Sequence, residues 1–280
     1  MTDSQLFERL NEIDQISSEQ WLASLTPRGK AELDFHNKHR EPSRQETAGQ
    51  DTYEKFYGNK KYYSTVRRSV GYTDDWIARH SPGKVVLDYA CGNGQLAIQA
   101  AKAGARLAIG LDISDVSVRN AQAEAARQGV TNVRFIQSNA EATRLPDETV
   151  DIVLCSGMLH HLDLSYAFPE LRRILKVGGK ILAVEALDYN PAIKLYRRLT
   201  PQMRTDWEKA HILDWRDLRF AGRFFEIGDV RYWHVLGYAG GKFPLLLGPL
   251  SRIDTVLERI PLVQLMAWIW TFELVKGEKA

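Results

Sequence analysis

The chain has 280 residues, of which 44% are hydrophobic and 26% charged, and its formal net charge is +2. These values are typical of a globular protein with a substantial core, and the small charge excess does not by itself indicate a nucleic-acid partner. The start of the chain lacks the pattern of a secretory signal, and no apolar stretch reaches the roughly 18 residues of a membrane span, so we expect a cytoplasmic protein.

The first 80 residues are predicted to form a helical lid. Residues 4 to 40 are polar and helix-favouring, and a polar link follows at 41 to 50. An aromatic and basic stretch, YEKFYGNKKYYSTVRRS, comes next and contains the candidate substrate contacts Tyr57, Tyr62 and Tyr63.

From residue 84 onwards, short apolar runs alternate with helical segments. The predicted strands are KVVLD (84–88), RLAIGLD (106–112), NVRFIQS (132–138), VDIVLCS (150–156) and KILAVEA (180–186). Strands rich in Val, Ile and Leu that alternate with helices indicate a mostly parallel sheet covered on both faces. The fold class is therefore a doubly wound, Rossmann-like α/β sheet, which binds ligands at the carboxyl ends of its strands.

After residue 190 the alternation ends, and we expect substrate-cap insertions at about 190–222 and 240–264 within one domain of residues 81–280. Two further strands, at 224–236 and 266–276, complete a seven-stranded sheet. Between them, one helical face carries Leu246, Leu250, Ile253, Leu257 and Ile260. This face is expected to pack on the sheet or against a second copy, or else, with Trp268 and Trp270 nearby, to contact a membrane surface.

The turn LDYACGNGQLAI, residues 87 to 98, is the strongest candidate for a ligand site. Gly92 and Gly94 allow the backbone to approach a ligand at the start of the following helix. The letters GNGQLA also match the dinucleotide pattern G-x-G-x-x-A, and Asp112 lies near the distance at which an acid binds a ribose. An NAD-dependent oxidoreductase therefore remains an alternative at this point.

The same turn resembles motif I of the class I S-adenosylmethionine-dependent methyltransferases. Asp88 stands at the acid of that motif and Ala90 at its usual first glycine, where alanine is tolerable if its φ stays negative. The resemblance continues through GLDIS, through SNAEATRLPDETVDIVLCSGMLHHL and through LKVGGKILAVE, in the family's order.

The resemblance implies a site for S-adenosylmethionine and requires no metal. It implies that Asp112 holds the ribose hydroxyls and that Asn139, where the family often has aspartate, accepts a hydrogen bond from adenine. The implied cofactor-binding residues are Asp88, Tyr89, Ala90, Gly92, Gly94, Asp112, Ile113, Asn139, Ala140 and Ser156.

His161 is the first candidate for a general base and His160 the second, because both follow the fourth strand and histidine titrates near neutrality. Each could instead only cap a helix or pack. Further substrate candidates are Tyr189, Tyr196 and Arg197, with Glu185 and Asp188 beside them.

The expected reaction is methyl transfer to an oxygen, nitrogen or carbon atom of a small molecule such as a natural product, lipid or quinone, by a monomer or homodimer. A protein that binds S-adenosylmethionine without catalysis remains open. We expect no nucleic-acid partner, because acidic residues are interleaved with the basic pairs. Cys91 and Cys155 are expected to be reduced core residues.

Overall fold

A computed structural model describes residues 3–40, 65–200, 205–241 and 243–278. At its centre lies a seven-stranded sheet with the strand order β3-β2-β1-β4-β5-β7-β6. The strands are β1 (Val85–Tyr89), β2 (Leu107–Asp112), β3 (Val133–Gln137), β4 (Val150–Ser156), β5 (Leu175–Ala186), β6 (Glu226–Trp233) and β7 (Ile269–Val275). The first five strands are parallel, whereas β7 runs antiparallel to both of its neighbours.

The predicted doubly wound α/β fold is thus confirmed. All seven predicted strands are present, and the largest difference is that β5 begins at Leu175 instead of Lys180. Strands β1 and β2 are buried along their whole length, which explains why they contain near-continuous apolar runs.

Helices cover both faces of this sheet and its carboxyl edge. The helices are α1 (Asp3–Asp14), α2 (Ser18–Ser24), α3 (Pro27–Arg40), α4 (Arg67–His80), α5 (Gln95–Lys102), α6 (Asp115–Arg127), α7 (Leu164–Ile174), α8 (Pro191–Leu199), α9 (Asp206–Ala210), α10 (Trp215–Ala221) and α11 (Leu247–Leu257). No helix in the described ranges is long and apolar enough to span a bilayer.

The N-terminal helices are fastened to the sheet by buried side chains. From α1, Leu6, Leu10 and Ile13 join the core on one face of the sheet. From α4, Trp76 and Ile77 join the core on the other face, and the Trp76 indole N–H donates to Glu273 of β7 at 2.8 Å. The α2–α3 segment therefore starts from a helix, α1, that is anchored in the core. That residues 1–80 form a separate lid stays a prediction.

The expected packing of the apolar face of residues 245–260 on the sheet is wrong in detail. Ile253 and Ile260 are more than 40% exposed, whereas Asp254 is fully buried and Glu258 nearly so. These acids face inward because they accept backbone N–H groups: Asp254 from Leu236 and Gly237, and Glu258 from residue 234, each at 2.8 Å. Trp270 lies in the core, not at a surface.

Candidate functional site

The carboxyl ends of β1 and β2 form a crevice whose loop is held by carboxylates. One oxygen of Asp112 accepts the Gly92 N–H at 2.8 Å, and the other accepts the Ser114 N–H at 2.9 Å. Asp88 accepts the N–H of Ala97, in the first turn of α5, at 3.0 Å. Two predicted cofactor residues thus shape the loop that would receive a ligand.

Burial controls the ionisation of Asp88. The side chain lies in the core beneath the loop, and this burial raises the pKa of Asp88 to about 7. The Ala97 N–H opposes the shift, while the negative charge of Asp112 adds to it. Burial therefore favours the neutral form of Asp88 more than exposure to water would.

The two glycines of the loop serve different purposes. Both have positive φ, 53° at Gly92 and 78° at Gly94. A Cβ on Gly94 would lie only 2.5 Å from Phe135 and 2.8 Å from Ala121, so packing against the sheet requires glycine there. A Cβ on Gly92 would instead meet the Arg40 guanidinium at 3.0 Å, above the crevice.

Ala90 departs from the conformation expected of it. Its φ is +59°, in the left-handed region, and the condition under which alanine would be tolerated without strain is not met. Such a conformation costs a non-glycine residue about 1–2 kcal/mol. The preceding Tyr89 side chain is fully buried and donates its O–H to the carbonyl of Ala140, so it stabilises the loop from below.

The other predicted cofactor residues border the same crevice. The Asn139 side-chain oxygen accepts the Glu141 N–H at 3.0 Å, which holds the amide in place and leaves one lone pair for another donor. Ala140 is buried, Ile113 is half-buried beside Trp21, Leu25 and Leu33, and Ser156 is exposed at the end of β4.

Helix α3 lies across the crevice and contacts its acidic residue. The Arg40 guanidinium lies 3.4 Å from Asp112 and donates to the Ser117 hydroxyl at 2.6 Å. Asn37, also on α3, donates to Asp115 at 3.0 Å and accepts the Ser114 hydroxyl. Arg40 therefore lies beside the Asp112 oxygen that also accepts the Gly92 N–H.

The two predicted catalytic histidines have different partners. The Nδ1 atom of His160 shares a 2.8 Å hydrogen bond with Glu185, whose other oxygen accepts the N–H groups of Met158 and Leu159. Its Nε2 atom faces Glu208 of α9, 3.8 Å away. His160 is thus an oriented imidazole, in the arrangement that a carboxylate gives a general base.

His161 contacts the capping helix instead. Its Nδ1 lies 3.2 Å from Glu32, and Nε2 of His36 lies 3.6 Å from the same oxygen. Although burial alone would raise the pKa of Glu32, hydrogen bonds with His161 and His36 lower it well below its usual value. Burial lowers the pKa of His36 and so favours its neutral form.

Three of the predicted substrate residues, Tyr189, Tyr196 and Arg197, lie in the described part of the chain. Arg197 is paired with Asp188 at 3.0 Å, and the Tyr189 hydroxyl accepts the Trp215 N–H at 3.3 Å. Tyr196 is half-buried on α8. Tyr57, Tyr62 and Tyr63 lie outside the described residues.

Sequence reasoning missed the residues that α3 contributes. Glu32, His36 and Arg40 are spaced by four residues and so share one face of α3, a polar stripe that could have marked a ligand-facing helix. Arg28 was also missed: it donates to the His161 carbonyl at 2.8 Å, pairs with Glu141 and lies over the Trp207 ring.

Comparison with known proteins gives a consistent family. A family model described as a methyltransferase domain matches residues 86–179. The ubiquinone/menaquinone biosynthesis C-methyltransferase UbiE of Marinomonas sp. is 37% identical over 107 residues, which are 37% of this chain and 43% of the relative. The chain thus spans less than half the length of that relative.

Solved structures of several enzymes share the fold. The geranyl diphosphate C-methyltransferase of Streptomyces coelicolor, solved with Mg²⁺, geranyl diphosphate and S-adenosyl-L-homocysteine, is 15% identical and matches with a TM-score of 0.59 over 90% of this chain and 99% of that one. The [4+2]-cyclase SpnF is 21% identical and gives 0.52 over 74% and 80%. At these identities the likeness shows a common fold and leaves the reaction open.

The left-handed conformation of Ala90 predicts that Ala90→Gly stabilises the protein. Removing the Cβ relieves about 1–2 kcal/mol of strain, and the greater freedom of glycine in the unfolded chain returns about half of this. We expect the free energy of unfolding, measured by urea denaturation, to rise by up to about 1 kcal/mol. Ala97→Gly, within α5, is the comparison variant and should lower the free energy of unfolding by about 1 kcal/mol. A loss of about 1 kcal/mol or more in Ala90→Gly as well would contradict the positive φ of Ala90.

Proposed function

We propose that this chain, whose residues 86–179 match a methyltransferase domain, transfers the methyl group of S-adenosylmethionine to a small-molecule acceptor. The proposal rests on two features that lie at the same edge of the sheet. A glycine loop held by Asp112 lies at the ends of β1 and β2, and His160, oriented by Glu185, follows β4.

The donor and acceptor groups of the crevice fit the proposed cofactor. The Asp112 carboxylate faces a hydrogen-bond donor, the Arg40 guanidinium, at 3.4 Å, and two ribose hydroxyls would supply donors of the same kind. Asn139 retains a lone pair for an adenine amino group. The residues that would hold the cofactor are Asp88, Ala90, Gly92, Asp112, Ile113, Asn139 and Ser156, with Tyr89, Gly94 and Ala140 supporting the loop.

Bound S-adenosylmethionine supplies an activated methyl group, so the protein must mainly align the acceptor and exclude water. Helix α3 is suited to exclude water because it covers the crevice through Asn37 and Arg40. Residues 205–210 continue this cover, since Thr205 donates to Glu32 at 2.7 Å. An acceptor would enter between this cover and the loop after β4.

We assign removal of the acceptor proton to His160 ahead of His161. The Nδ1 atom of His160 is held by a buried carboxylate, which orients the ring and stabilises the imidazolium that forms when Nε2 takes a proton. His161 has a half-buried ring tied to the capping helix through Glu32. An oxygen or carbon acceptor needs such a base, whereas a neutral amine does not.

The acceptor class we favour is a small, largely apolar molecule with an acidic O–H or C–H group. The related UbiE is named for C-methylation in quinone biosynthesis, and another enzyme with this fold is named for geranyl diphosphate. Phe243, Leu245 and Leu262 are each more than half exposed. These exposed apolar side chains support contact with lipid or with an apolar acceptor.

Two alternatives are separated by one assay. The cyclase SpnF shows that the fold also serves other reactions, and a binding protein without catalysis would use the same crevice. Incubation with methyl-labelled S-adenosylmethionine and a panel of quinols, phenols and prenyl diphosphates should give one labelled acceptor. Cofactor binding without label in any acceptor class would contradict methyl transfer to small molecules.

Arg40 should compete with the cofactor for Asp112. In Arg40→Ala, the partly exposed ion pair with Asp112, worth about 0.2–1 kcal/mol, no longer has to be broken when the cofactor binds. S-adenosylhomocysteine should therefore bind up to about fivefold more tightly. Calorimetric titration measures this change. Arg119→Ala, which removes a neighbouring arginine paired with Asp115, is the matched control and should bind like the unmodified protein. Weaker binding in Arg40→Ala would mean that Arg40 contacts the cofactor.

Loss of His160 should remove most of the turnover of an oxygen or carbon acceptor. Positioned general bases contribute about 100- to 10,000-fold, so we expect kcat of His160→Ala to fall at least 100-fold while S-adenosylhomocysteine affinity is retained. His211→Ala, which removes an exposed histidine of the same chain, is the control. Unchanged kcat in His160→Ala with a large loss in His161→Ala would transfer the role to His161. Unchanged kcat in both would refute a histidine base.

A further inference from the structure

Three ligand-type side chains converge where α3 meets the loop after β4. The possible ligand atoms of Glu32, His36 and His161 all lie within 4.8 Å of one another. We propose that these three residues bind one divalent transition-metal ion, with His160 and Glu208 adjacent to it. The family resemblance gave no reason to expect a metal, so this site goes beyond the proposed function.

The distances within the cluster fit a metal site. The oxygen of Glu32 lies 3.2 Å from Nδ1 of His161 and 3.6 Å from Nε2 of His36. Both distances exceed the about 2.7–2.9 Å of a charge-assisted hydrogen bond. Ligand bonds of about 2.0–2.1 Å around a tetrahedral ion place neighbouring donor atoms about 3.4 Å apart, between the two observed distances.

The donor set selects the kind of ion. Imidazole nitrogens suit Zn²⁺, Co²⁺, Ni²⁺ and Fe²⁺, whereas Mg²⁺ and Ca²⁺ take oxygen ligands. A histidine binds a metal through a neutral ring nitrogen, and the Nε2 atom of His36 lies beside the Glu32 oxygen. The ionised carboxylate of Glu32 completes a set of two histidines and one acid, with three protein ligands, as in catalytic sites that keep a position open.

Neighbouring groups hold one proposed ligand and the loop that carries another. The second oxygen of Glu32 accepts the Thr205 hydroxyl at 2.7 Å, an outer hydrogen bond of the kind that orients a metal-binding carboxylate. The His161 backbone carbonyl accepts Arg28 at 2.8 Å, which fixes the loop that presents this ring. On the neighbouring His160, Glu185 holds Nδ1 and leaves Nε2 directed towards Glu208.

A second cluster of ligand-type residues does not make such a site. His234, Asp254 and Glu258 are also within 4.8 Å of one another. However, Asp254 accepts two backbone N–H groups and Glu258 pairs with Arg68 at 2.7 Å, while Ser69 contacts the His234 ring at 2.9 Å. These contacts engage the donors of the second cluster and assign it a structural role.

The role of the ion, which rests on the proposed function, is to bind the acceptor. A fourth position on the ion could take an oxygen of a hydroxylated or enolic acceptor, and a bound cation lowers the pKa of such an oxygen. His160 then lies beside the acceptor oxygen as the proton acceptor, since its ring centre is 4.4 Å from that of His161. The favoured acceptors are therefore those that can coordinate a metal through oxygen.

Cobalt binding tests the site without any measurement of methyl transfer. The untagged full chain is stripped with a chelator and titrated with Co²⁺, whose visible absorption reports histidine ligation, and Zn²⁺ is then added in competition. We expect one equivalent of Co²⁺, displaced by Zn²⁺ and not by Mg²⁺. In Glu32→Gln and in His36→Asn the Kd for Co²⁺ should rise at least about tenfold. Loss of an outer contact alone weakens metal binding by about tenfold or more, and these variants lose a proposed ligand.

His211→Asn, which removes an exposed histidine outside the cluster, should bind Co²⁺ like the unmodified chain. Circular dichroism checks that each variant is folded. If Glu32→Gln does not fold, the Co²⁺ affinity of His36→Asn decides the outcome. Absence of a stoichiometric Co²⁺ spectrum, or equal affinity in His36→Asn and the unmodified chain, would overturn the proposal. Separate titration with S-adenosylhomocysteine distinguishes this failure from failure of the proposed function.

Discussion

The position of the Asp112 carboxylate is the constraint on which the site depends. Asp112 ends a strand buried on both faces, and it draws the loop after β1 towards the end of β2 through the Gly92 N–H. Because every residue of β1 pairs with β2, and Asp112 itself pairs with Gln137 of β3, neither strand end can shift by itself. The loop, the start of α5 and the ligand-facing carboxylate are therefore set in one rigid arrangement.

Helix α3 connects this carboxylate to the histidine pair. Arg40 at its end lies over Asp112, whereas His36 and Glu32, one and two turns earlier, contact the side of the crevice that holds His161. A ligand that displaces Arg40 acts on the same helix that carries two of the three proposed metal ligands.

The sheet and the loop could be predicted because their residues obey local rules: apolar runs for buried strands, glycine where φ is positive and acids at strand ends. The predicted methyltransferase domain agrees with the family match over residues 86–179. The failures concern what local patterns do not contain. Periodicity grouped Ile253 with Ile260 but could not show that Asp254 faces inward. The sequence around Glu32 does not indicate its contact with His161, which is 129 residues away.

The most direct test of the account is a calorimetric titration of the unmodified protein with S-adenosylhomocysteine and, separately, with NADH. We expect the unmodified protein to bind one equivalent of S-adenosylhomocysteine and Asp112→Ala to bind none. Titration with NADH should release no heat of binding. Binding of NADH alone would contradict it, because the same glycine loop would then serve a dinucleotide and the methyltransferase assignment would fail.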